Sequence, residues 1–170
     1  MSEPYDDLLS APRRDLERLL LAGQPLAPER LAGHRYRGIA LVARLPFDRA
    51  FLKFAVSFEA GPDGRVLGAA APVHQDGLLA PWTERRRPKV AARCGRFAVL
   101  APGAPGRDDG YPRALRFDFA QGSPALSPLS RIQAVAAPID HDRPELLLGR
   151  ALLALGPWRL ATPHYFLLAR

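Results

Sequence analysis

The chain has 170 residues, 48% of them apolar and 24% charged, with a formal net charge of +7. That length suffices for one domain with a sizeable core, and no run approaches the roughly 20 apolar residues of a membrane span. A single cysteine, Cys94, excludes an internal disulfide and fits a reducing cytoplasm.

The start, MSEPYDDLLS, is acidic and lacks the basic region and apolar block of a secretory signal. Of the 24 basic residues only Lys53 and Lys89 are lysines, and the arginines are scattered apart from Arg85-Arg86-Arg87-Pro88-Lys89. A nucleic-acid surface needs a contiguous basic stripe with aromatics beside it, so no nucleic-acid partner is expected.

Residues 6–23 carry the clearest helical pattern. Leu16, Leu19 and Leu20 follow i, i+3, i+4 spacing, with Leu8 and Leu9 about two turns earlier. Ser10 offers an N-cap, and Gly23 suits a left-handed C-terminal position. A short second helix over Pro28–Ala32 completes a helical cap spanning residues 1–32.

From Gly33 the period changes to two. Tyr36–Val42 reads as a strand, Pro46–Arg49 as a turn and Leu52–Glu59 as a strand. In the latter Leu52, Phe54, Val56 and Phe58 share one face, and Lys53, Ala55, Ser57 and Glu59 the other. Gly61-Pro62-Asp63-Gly64 turns the chain. Arg65–Ala71 and Val73–Trp82 read as weaker strands interrupted by Pro72, and Arg93–Leu100 as another. Pro102–Pro112 is a loop. Arg113–Phe119 and Leu129–Ala137 alternate again around a turn at Gln121–Pro124. Asp140-His141-Asp142 lies in the turn Pro138–Pro144, and no metal is expected there. The end of the chain is a closing hairpin, with apolar runs Leu146–Leu155 and Tyr165–Leu168 around Gly156-Pro157.

Short strands at intervals of about 8–12 residues, with no helix between them, predict a mainly β protein. Consecutive strands joined by short turns pair with each other, and closure removes their edges. The expectation is one domain over residues 1–170: an antiparallel up-and-down β-barrel of about eight or nine strands from Gly33 onward, with an N-terminal helical cap. The closing hairpin should complete it by pairing with the strand after Gly33.

The placed strands resemble a known architecture. A helical prefix leads to Gly33-His34-Arg35-Tyr36-Arg37-Gly38, followed by Phe51-Leu52-Lys53-Phe54, Leu115-Arg116-Phe117-Asp118-Phe119, Leu148-Gly149-Arg150 and Tyr165-Phe166-Leu167-Leu168. This is similar to calycin-type barrels, the lipocalin and fatty-acid-binding-protein architecture, and to small bacterial G-x-W-x-G proteins of unknown function. Arg35 stands where lipocalins carry tryptophan, and Arg131-Ile132-Gln133-Ala134 where many such barrels carry acids, so the functions of those residues do not carry over. The resemblance implies a calycin-like fold and, with it, a lipophilic ligand.

No nucleophile elbow, zinc-protease helix, P-loop or dinucleotide fingerprint is present, and no cofactor is expected. Cys94, beside a glycine in a strand and without a nearby base, reads as a structural thiol. In an eight-strand barrel the core and the ligand space are the same volume. The aromatics Phe54, Phe58, Phe97, Phe117 and Tyr165 are therefore candidate pocket residues as well as core, with Ala98, Ala134 and Ala136 leaving room. Among polar residues Tyr36, Lys53 and Arg131 are candidates, alongside His34 and Asp118. Lys53 is either solvated on the exterior or an anion anchor in the lumen. Arg131 either faces water or holds a ligand carboxylate bidentately.

The expected function is binding of a hydrophobic or amphipathic small molecule in the lumen, with the N-terminal helix over its mouth. The alternative is a cofactor-independent isomerase or cyclase acting on a lipophilic intermediate, which needs only shape and one or two polar groups. A third is a protein-interaction module. Leu146–Leu155 is apolar on both faces, and its outer face requires either the N-terminal helix or a second subunit, as in a homodimer.

Overall fold

The computed structural model describes residues 6–41, 52–84, 95–104, 110–122, 128–140, 142–156 and 158–170. Phe51, the Arg85–Lys89 cluster, Cys94 and His141 lie outside the described residues. Eight strands form one closed antiparallel barrel: β1 Arg35–Ala40, β2 Lys53–Ala60, β3 Val66–Pro72, β4 Arg96–Leu100, β5 Leu115–Asp118, β6 Ile132–Pro138, β7 Leu146–Leu155 and β8 Trp158–Ala169. Each strand pairs with the next, and β8 returns to β1 through Arg37 opposite Ala169 and Ala40 opposite Phe166. The chain's apolar end thus closes the sheet, as expected.

Alternation decides which side chains go inside. In β2 the aromatic and β-branched set Phe54, Val56 and Phe58 points into the lumen, where it meets Tyr36, Phe97 and Leu168. The opposite parity of β6, β7 and β8, including Val135, Leu148, Leu152 and Leu167, forms an apolar outer wall. Helix α2, Arg13–Ala22, covers that wall with Leu16 and Leu20, both almost fully buried. Burying two leucines contributes roughly 3–6 kcal/mol. The outer face of β7 from Leu146 to Leu152 is thereby covered within one chain.

The helical cap divides into two parts. A short α1, Asp6–Leu9, precedes α2, which lies along the barrel flank and not over a mouth. The 3-10 helix Pro28–Leu31 is what closes an end, placing the fully buried Leu31 among the lumen side chains. Gly33 N–H donates to the Phe58 carbonyl at 2.8 Å, locking this plug to β2.

Three local expectations are corrected. Ser10 does not cap α2; its hydroxyl donates to the Asp7 carbonyl, and Pro12 stands at the N-cap. Gly23 has φ −54° and is not left-handed. Its missing side chain instead lets the helix end meet β6, where a Cβ would fall 2.6 Å from that of Ala137. Val73–Trp82 is no strand: beyond Pro72 a single bridge, Val73 to Glu84, is what pairs among the described residues, and the segment folds over the outside of β2.

β7 and β8 change register once. Arg150 faces Tyr165 and Leu152 faces Ala161, so one residue of β7 opposes three of β8. Pro163, which has no N–H to donate, lies in that irregularity. No helix among the described residues is long and apolar enough to cross a membrane.

Candidate functional site

The lumen has a packed half and a hollow half. Around the plug, the Phe58 ring meets Tyr36, Phe97 and Phe117 at centroid distances of 5.5, 6.0 and 5.7 Å. Leu31, Leu115 and Ala136, all buried, fill the rest of this layer. Towards the end where β1 finishes and β8 begins there is a cavity of about 310 Å³. Its wall is hydrocarbon and aromatic, with Phe54, Phe97, Phe117, Phe119 and Phe166 supplying the rings and Ala70, Ala134 and Ala151 the space between them.

The cavity exists because three of those rings lie flat against the sheet. Phe54 stands directly opposite Gly38, Phe97 opposite Gly68, and Phe166 opposite Gly149. A Cβ on Gly38, Gly68 or Gly149 would fall 2.3, 2.1 or 2.2 Å from the nearest carbon of the facing ring, too close to be accommodated. Each glycine therefore admits an aromatic side chain to backbone contact, where it takes up wall and not lumen.

Of the eight candidates, Phe54, Phe97 and Phe117 line the cavity with side chains. Tyr36 and Phe58 point inward but belong to the packed half. The polar candidates Arg131 and Lys53 lie outside the cavity. Arg131 is exposed at the end of the 3-10 helix Pro128–Arg131, immediately before β6, and does not line the cavity. Lys53 is neither solvated nor lumenal. It projects outward, yet is only 1% exposed, because the segment after β3 folds over it. Its ammonium donates to Asp76 Oδ1 and the Gly77 carbonyl at 2.7 Å and to the Ala80 carbonyl at 3.2 Å, and it sits 4.5 Å from the Trp82 ring centroid. This bond holds the Asp76 carboxyl below its ordinary range. Ala98 likewise faces outward, between the inward Phe97 and Val99.

Tyr165 is on the cavity wall but turns its side chain to the outer face, under α2. There Glu17 of the helix accepts hydrogen bonds from Tyr165 at 2.5 Å, Tyr111 at 2.7 Å and Arg150 at 2.8 Å. Arg150 also donates to the Tyr111 hydroxyl and, through Nε, to the Thr162 carbonyl. Burial, then the bond to Glu17, pushes the Tyr111 hydroxyl up to about 12 and raises that of Tyr165. These groups fasten the helix to the barrel and do not face the cavity.

His164 was not singled out as a site residue by the sequence, yet it lines the cavity. With the Tyr165 hydroxyl on the far side of the wall, His164 is the ionisable side chain that the described lining residues present to the lumen. The signal for it was its place two residues before Phe166 on the same parity of a strand, beside Pro163. In the turn after β6, Asp140 Oδ1 accepts from the Asp142 N–H at 2.9 Å.

Comparison with family models, curated proteins and solved structures finds no match to this chain.

Proposed function

We propose that the protein binds a hydrophobic or amphipathic small molecule in the hollow half of its barrel, in the manner of calycin-like carriers. The observation that carries this reading is the 310 Å³ cavity walled by phenylalanine and alanine. That volume lies at the lower end of the roughly 300–1,000 Å³ typical of ligand pockets, which favours a ligand of modest size. Desolvating hydrocarbon against such a wall is worth about 25 cal/mol per Å², so affinity would rise with apolar surface until the cavity is full. Cys94, as the only cysteine, fits a cytoplasmic setting for this activity.

The test is titration with an environment-sensitive dye, followed by displacement with fatty acids of increasing chain length. One site per chain, and loss of uptake in Ala151→Phe with folding retained, support the reading. Dye bound equally by wild type and Ala151→Phe would overturn it.

A second reading, the cofactor-independent isomerase or cyclase, is favoured by His164. An imidazole on an apolar cavity wall is positioned to move a proton on a bound lipophilic intermediate. His164→Ala should then retain ligand affinity while losing turnover; equal turnover by both proteins would remove this option.

A further inference from the structure

β7 and β8 do not stop where the cavity stops. Beyond Ala151 and His164, its last lining residues on these strands, the hairpin continues through the pairs Leu153–Leu160 and Leu155–Trp158. The two-residue offset at Pro163 preserves alternation, so Leu153, Leu155, Trp158 and Leu160 keep the parity of Ala151 and Gly149. The face that lines the lumen below thus emerges above as an uncovered apolar ribbon. Leu155 is 47% exposed, Leu160 58% and Trp158 76%.

The other face of this ribbon is polar and fixed. Arg159 donates from Nε to Gln133 Oε1 at 2.7 Å, and from Nη1 to the Gly156 and Trp158 carbonyls at 2.7 and 2.9 Å. The tip is therefore held in place, with Trp158 presented outward and not folded back. Arg131, also exposed, precedes Ile132, the partner of Leu153, and so stands beside the same ribbon. From Ala151 to Tyr165 the sequence contains no acid, and the whole chain carries +7.

We propose that this ribbon docks the protein on an anionic lipid bilayer, with Trp158, Leu155 and Leu160 entering the interfacial zone and Arg131 and Arg159 meeting the headgroups. Tryptophan is favoured at that depth because its ring is apolar and its N–H remains hydrated. Apolar insertion combined with basic charge near an anionic leaflet is what gives peripheral proteins their membrane affinity. A second copy of the chain fits less well. A narrow hairpin tip with three exposed apolar side chains offers far less than the roughly 800 Å² per partner of a stable interface, and like positive charges would face each other. The proposal does not rest on the lumen carrying a ligand.

The full chain is tested by flotation with vesicles of phosphatidylcholine alone and of phosphatidylcholine with phosphatidylglycerol. The expected result is binding to the anionic vesicles that weakens at high salt. In a Trp82→Phe background, Trp158 emission should shift to the blue and be quenched by brominated acyl chains. Trp158→Ser, with Leu155→Ser and Leu160→Ser added, should lower the vesicle affinity by about tenfold or more. Dye uptake measured without vesicles reports separately on the lumen and on folding of the variant. Absence of binding to anionic vesicles, equal binding by the triple variant, or a lipid-free dimer with Trp158 already buried would each overturn the proposal.

Discussion

Gly38 on β1 faces Phe54 on β2, and the Phe54 ring occupies the space a side chain at Gly38 would need. The pair converts an aromatic residue from a lumen filler into a piece of wall. Substituting Gly38→Ala should force the ring towards the cavity and cost about 1–3 kcal/mol, the range for overpacking. Dye uptake should fall together with the denaturation midpoint. Gly38→Ala combined with Phe54→Leu should cost less than the two changes summed, as a double-mutant cycle by chemical denaturation would read. Strict additivity would mean that the ring and the glycine do not depend on each other.

Glu17 is the single acceptor shared by Tyr111, Tyr165 and Arg150. Glu17→Ala leaves these donors, largely buried under α2, without their anion and should destabilise by about 2 kcal/mol. Hydrogen exchange should place the loss in α2 and the adjoining outer wall, with the lumen layer around Phe58 unaffected. Uniform acceleration across the barrel would contradict a role confined to the helix.

The same cluster predicts an alkaline transition. Tyr111 has an ordinary value near 10 and is raised to about 12 in the fold, first by burial and then by its bond to Glu17. Below about pH 10 it is protonated in both folded and unfolded chains, and its stabilisation is fully present. Between about pH 10 and pH 12 the unfolded chain loses the proton first, so stability falls as pH rises. Tyr111→Phe should flatten this part of the stability profile, and absorbance at the phenolate band should show Tyr111 ionising with alkaline unfolding. Tyr111 titrating at its ordinary value in the folded protein would contradict its burial.

Lys53 tethers the segment after β3 through converging carbonyls and the Trp82 ring. Lys53→Met should cost about 2 kcal/mol from the lost carbonyl bonds and ring contact. Trp82 emission should shift to the red as the segment lifts. Lys53→Arg should rescue poorly, since a planar fork cannot replace a compact ammonium among these acceptors. Because Asp76 is held below its ordinary value near 3.8 by Lys53, its contribution is present above that pH and is lost as pH falls further. A Trp82 spectrum unchanged in Lys53→Met would sink this account.

Sequence periodicity was sufficient for the barrel and its closure by the final strand, and it offered Phe54, Phe97 and Phe117 as candidates without fixing which face is inward. Each of these depends on alternation within a strand, a signal that survives without neighbours. What failed depended on packing between distant segments. Alternation alone did not fix the face of Lys53, nor did it show that residues twenty or more positions later would bury it. The alternation Gln133 and Arg131 share carries no mark of which face is inside. The glycines that hollow out the lumen were visible as letters, yet their meaning needed the register that sets Gly68 opposite Phe97 and Gly149 opposite Phe166. Tyr165 looked lumenal because its strand is apolar on both sides, and only the position of α2 assigns its hydroxyl to Glu17.

The offset at Pro163 also limits how this hairpin can change in length. Three residues of β8 set against one of β7 keep every side chain on its own face. Deleting one of them would turn the ribbon beyond by half a period, placing Arg159 over the lumen and Trp158 against Gln133. Deleting two would leave polarity intact and merely remove the kink. Insertions and deletions tolerated between Ala161 and Tyr165 should therefore come in pairs, and an odd change should invert the chemistry of the whole tip.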